Sequence, residues 1–74
     1  MEVLCRRLCR GDDLLLEIER LAREESLAAG VVLSAVGCVS RAVLRDASGV
    51  TVRTVDEPCE IVSLNGTVSA VRCH

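Results

Sequence analysis

The ten residues Glu60-Ile-Val-Ser-Leu-Asn-Gly-Thr-Val-Ser69 read as a β-strand, and a strand needs a partner. Only residues 70–74 follow, too few for another full strand, so the pairing must come from earlier segments or from another chain. On this reading the sheet is incomplete at its C-terminal side, and a site built beyond residue 69 is expected to be cut off.

The core has few materials. Half of the 74 residues are apolar, yet the chain has no Phe, Tyr or Trp, so Leu, Val, Ile, Ala and Cys must fill the interior. A chain this short buries only about 60% of its unfolded surface. Each aromatic that is missing forgoes about 150–250 Å² of burial. Marginal stability as a monomer is the expectation, and oligomerisation is the remedy.

Charge and cysteine content narrow the function classes. The formal net charge is −2, and all nine basic residues are arginines. Proteins that rely on phosphate contacts draw affinity from a basic excess, and single-strand binders add aromatic stacking. Neither is present, so direct nucleic-acid binding by these residues is not expected. The start of the chain is too short and too charged for a secretory signal, and no apolar run approaches a membrane span. Five cysteines, an odd number, read as small hydrophobes in a reducing setting, cytoplasmic or, in a eukaryote, nuclear. Cys5 and Cys9 with Cys73 and His74 match no familiar zinc spacing.

Along the chain, residues 2–10 suit a first strand that Gly11 breaks. Asp12 stands at the N-cap position of a helix expected to run to about Ala29, with Gly30 as its C′ residue. Leu14, Ile18, Leu21 and Ala22 make one apolar stripe, and Glu19 and Arg23 are ordered for an i,i+4 pair. Residues 31–36 form an unbroken apolar run, the mark of a strand covered on both faces. Residues 41–55 alternate around Asp46-Ala-Ser-Gly49 and predict a hairpin. Arg41, Arg45 and Arg53 fall on it, either as a solvated face or as an anion or salt-bridge site. Pro58 interrupts before the strand from Cys59. At Asn65-Gly66 a two-residue hairpin competes with one long strand in which the glycine allows a bulge; the long strand is preferred.

Three segments in register carry a family likeness: Arg7-Leu8-x-x-Gly11-Asp-Asp-Leu14 before a helix, Val36-Gly37-x-Val39-Ser40-x-Ala42-x-Leu44-Arg45, and Glu60-Ile-Val-Ser-Leu-x-Gly66-Thr67. Together they resemble the plants-and-prokaryotes-conserved (PPC) domain, also known from plant AT-hook nuclear proteins, and the likeness covers nearly the whole chain as one domain, 1–74. The resemblance implies an α+β fold, one long helix on a mostly antiparallel sheet, assembled as a homotrimer. It also implies a His-x-His pair and a Gly-Gly-His segment that resemble a metal or small-ligand site, with zinc a candidate in full-length relatives. Only His74 matches here, as the first histidine of the pair, and one imidazole is no metal site. The segment that contacts transcription regulators in plant relatives aligns with residues 57–62. Glu60 and Ile61 match and Val62 is conservative, but its arginine and phenylalanine are missing. Glu60, Ile61, Val62, Ser63 and Leu64 are therefore taken as an interaction or oligomer strand. The short arginine-rich AT-hook core is missing too.

Other patterns are weaker. Arg10-Gly11-Asp12 is explained by a turn and a helix cap. Asn65-Gly66-Thr67 is a glycosylation acceptor only in a secreted chain. Ser34, Ser40 and Ser63 lack the elbow of a serine hydrolase. The expected function is a non-enzymatic oligomerisation or regulatory module, linked to DNA-associated regulation through separate elements of full-length relatives. Two alternatives stand beside it: a metal- or ligand-binding protein whose histidine site is mostly missing, and a truncated product without an independent role.

Overall fold

A computed structural model of the protein describes residues 2–69. It shows one helix, α1 (Leu14–Glu24), and six short strands: β1 (Ala29–Val31), β2 (Cys38–Val39), β3 (Ala42–Arg45), β4 (Val52–Val55), β5 (Cys59–Glu60) and β6 (Thr67–Ser69). The strands form three two-stranded antiparallel sheets, β1–β6, β2–β5 and β3–β4. The class is α+β. The chain divides into two compact units, one of residues up to Val31 together with those from Gly66, the other Val32–Asn65.

In the first unit the helix begins where its capping chemistry places it, one residue later than the sequence suggests. Asp13 is the N-cap, and its carboxylate accepts from the Leu16 amide at 3.1 Å. Asp12 closes the preceding turn instead: its carboxylate accepts from the Cys9 amide at 2.7 Å, and its own amide donates to the Cys9 carbonyl at 3.1 Å. Gly11, at φ +93°, gives that turn a backbone conformation a side chain would resist.

The helix ends earlier than expected. It spans 11 residues, and Gly30 is not its stop. Ser26 takes the left-handed position at φ 53° and donates to the Arg23 carbonyl at 3.2 Å, while Leu27 donates to Ala22 at 2.9 Å. Those paired bonds are a Schellman ending built on serine rather than glycine. Gly30 lies instead inside β1 opposite Val68. A Cβ there would lie 3.9 Å from both Leu27 and Val68, in ordinary contact. Val68, 9% exposed, is the one buried apolar side chain among the described residues. The helix stripe of Leu14, Ile18, Leu21 and Ala22 is half-buried, as the periodicity predicts.

Residues 2–10 form no strand. They are tied to the helix by charge instead. Arg6 reaches Glu24 at 2.8 Å and Glu17 at 3.9 Å, and Arg20 closes the ring to Glu17 at 3.7 Å and Glu24 at 3.1 Å. The expected Glu19–Arg23 pair does not form among the described residues; Arg20 takes the i,i+4 role with Glu24.

In the second unit the hairpin predicted over 41–55 is present, with Ala42↔Val55, Val43↔Thr54, Leu44↔Arg53 and Arg45↔Val52 opposed. Asp46 organises its loop. The Asp46 carboxylate accepts from the amide and the hydroxyl of Ser48, whose oxygen in turn accepts from the Val50 and Thr51 amides.

The two remaining predicted strands are corrected in length. The run over residues 31–36 is strand only at Val31, within β1, and it is not covered on both faces: Leu33 is 65% exposed and Val36 92%. The strand expected over residues 59–69 is broken into β5 and β6, with 61–66 outside any regular element. No hairpin forms at Asn65-Gly66, because β6 pairs with β1 rather than with residues 59–64. Counting forward from Ala29 and backward from Ser69 at equal pace arrives at the Val39↔Cys59 pair without a slipped residue.

Candidate functional site

The segment Glu60–Leu64 lies at the end of β5, where pairing stops. The Ile61 amide donates to the Gly37 carbonyl at 2.8 Å, continuing the β2–β5 ladder by one bond. Gly37 has φ +135°, a backbone turn that ends the regular ladder there. Val36 and Val62, the residues next in sequence beyond the two partners of that bond, are 92% and 93% exposed. Ile61 and Leu64 are half-buried, whereas Glu60 and Ser63 are exposed. The segment therefore has partly covered anchors and one apolar side chain almost wholly in water.

The hairpin has a second such surface. Directly opposed residues share a face, so Val43 and Thr54 lie with Arg45 and Val52 on one side. Arg41 precedes β3 at the spacing that continues this face. Ala42, Leu44, Arg53 and Val55 occupy the other side, where Ala42 and Val55 are half-buried. On the outer face Val43 is 62% exposed and Val52 52%. The structure thus separates the three arginines predicted as one cluster: Arg41 and Arg45 share a face and Arg53 takes the other. None of them has an ion-pair partner among the described residues.

The resolved pKa shifts belong to the ion ring. The hydrogen bond from Arg6 holds the Glu24 carboxyl below the usual range against opposing desolvation, with the charges of Arg6 and Arg20 assisting. The same hydrogen bond, against the same opposition, raises Arg6. Among the described residues no group of three or more His, Cys, Asp or Glu could hold a metal ion, and His74, the metal ligand suggested by the sequence, lies outside them. Among the described residues no helix is long and apolar enough to cross a membrane.

Sequence reading missed Val36, Val43 and Val52 as surface features. An unbroken valine-rich run and an alternating hairpin carry the same pattern whether a neighbour covers them or not. The available signal was quantitative: too little apolar bulk in a chain without aromatics to cover every strand.

Geometry defines a small α+β domain whose most prominent chemical feature is uncovered apolar surface edged by unpaired charge. The family model for the Plants and Prokaryotes Conserved (PCC) domain matches residues 1–73, and the chain belongs to that family. Two curated relatives carry the name Bifunctional protein GlmU. One, from Synechococcus sp. (strain JA-2-3B'a(2-13)), is 48% identical over 68 residues, which is 92% of this chain and 11% of that protein. The other, from Synechococcus sp. (strain JA-3-3Ab), is 47% identical over 68 residues with the same coverage. The chain thus spans about a tenth of the length of the curated relatives it matches. No solved structure matches it.

Proposed function

We propose that this PCC domain is a non-enzymatic assembly module that associates with further copies of itself, as a homotrimer. The observation that supports this most strongly is the mismatch between inside and outside. One apolar residue is buried among the described residues, while eleven large apolar residues are exposed. Fully burying one such side chain contributes about 1.5–3 kcal/mol. Association itself costs about 4–15 kcal/mol. Two or three such side chains contribute about 3–9 kcal/mol and fall short of most of that range, so a stable assembly has to bury more of the exposed set than one valine pair.

The relatives fit the same reading. Their name attaches two functions to chains of which a domain like this spans 11%. We place the domain's role in holding copies of such chains together. Any association with DNA-bound regulators belongs to other elements of longer proteins, because the described surface carries neither a basic excess nor stacking aromatics.

Thermal unfolding across a wide dilution series tests the assembly. A species that folds by associating has a Tm that rises with protein concentration. The expected outcome is a clear rise over a hundredfold range, and a constant, high Tm would contradict it.

A further inference from the structure

The two exposed valine pairs carry opposite charge at their edges. Beside Val62, two residues back along the chain, is Glu60, exposed and without an ion-pair partner among the described residues. Beside Val43 and Val52 are Arg45, on the same hairpin face, and Arg41. Both surfaces lie within Val32–Asn65. Apolar surface alone does not choose a partner, but an acidic valine patch and a basic valine patch on one chain do. Each is the complement of the other, and neither is the complement of itself.

We propose that the outer hairpin face of one copy docks on the Val36–Val62 patch of a second copy, with Arg41 and Arg45 meeting Glu60. This rests on the self-assembly reading and adds which surfaces meet and in what sense. The contact is heterologous, head to tail, because like patches placed face to face would bring arginine to arginine and glutamate to glutamate. A heterologous contact repeats from copy to copy and closes into a ring when the rotation permits. Valine on valine supplies the buried area, and the charges fix orientation and exclude the isologous arrangement.

Charge reversal followed by light scattering tests this. Glu60→Arg, and separately Arg41→Glu with Arg45→Glu, should each weaken association by about tenfold or more, since like charges then face each other. Combining all three substitutions exchanges the signs and should restore assembly. Val36→Thr with Val62→Thr, which keeps side-chain shape and strand propensity at positions already in water, should shift the concentration at which mass and circular dichroism fall together to a value about tenfold higher or more. An assembled wild type whose charge-reversal variants associate equally well would overturn the docking while leaving self-assembly intact, as would a triple variant that stays apart. A monomeric wild type would defeat the assembly reading itself.

Discussion

Arg6 shows how a single side chain substitutes for a strand. The first segment has too few apolar residues in alternation to join a sheet, and its guanidinium bridges Glu24 and Glu17 instead. The consequence is a pH dependence with a definite sign. Glu24 titrates below its ordinary value in the folded chain, chiefly because of the Arg6 hydrogen bond. Its contribution is therefore fully present above the unfolded pKa of about 4.3 and is lost as pH falls through the lower folded value. Stability should decline on acidification below about pH 4.5, and Arg6→Ala should flatten that decline. Denaturant titrations of both proteins between neutral and acid pH would read it; identical slopes would contradict it. The effect is small, because both groups are solvent-facing and screened.

At the scale of elements, the start of the helix and the hairpin were legible in the sequence, and the other strands only in part. Capping depends on residues adjacent in the chain, so Asp12 and Asp13 localise the helix start to within one position. The hairpin is local as well: alternation, a four-residue loop signal and an aspartate that accepts loop hydrogen bonds all act within residues 41–55. The helix end escaped because Ser26 occupies a position where glycine is the usual resident, and Gly30, the more conspicuous signal, belongs to β1. That element supplies its own prediction. Serine at a left-handed φ is strained where glycine is not, so Ser26→Gly should stabilise the fold by about 1 kcal/mol. Chemical denaturation measures it, and a loss of stability would show that the Ser26 side chain has an unrecognised role. The long strands were half legible. Their register holds from Ala29↔Ser69 to Val39↔Cys59, but pairing also needs something to cover each face, and sequence alone does not reveal whether a neighbour does.

For the whole molecule, the decisive quantity is apolar surface left in water. Family membership and the α+β class followed from segments distributed along nearly the entire chain, which is why they survived errors in individual elements. The proposed interaction surface was anticipated in the sequence only as the segment Glu60–Leu64. The counterpart proposed on the hairpin rests on register and exposure, which place Val43 and Val52 with Arg45 on one face. With one buried apolar residue and eleven large exposed ones among the described residues, the proposed assembly places the core between copies. Sedimentation equilibrium at neutral pH, over concentrations spanning the physiological range, tests this most directly. The account predicts a mass of three chains at the upper concentrations, falling toward one on dilution together with loss of regular structure. A single-chain mass at every concentration, with sharp and dispersed amide spectra, would contradict it.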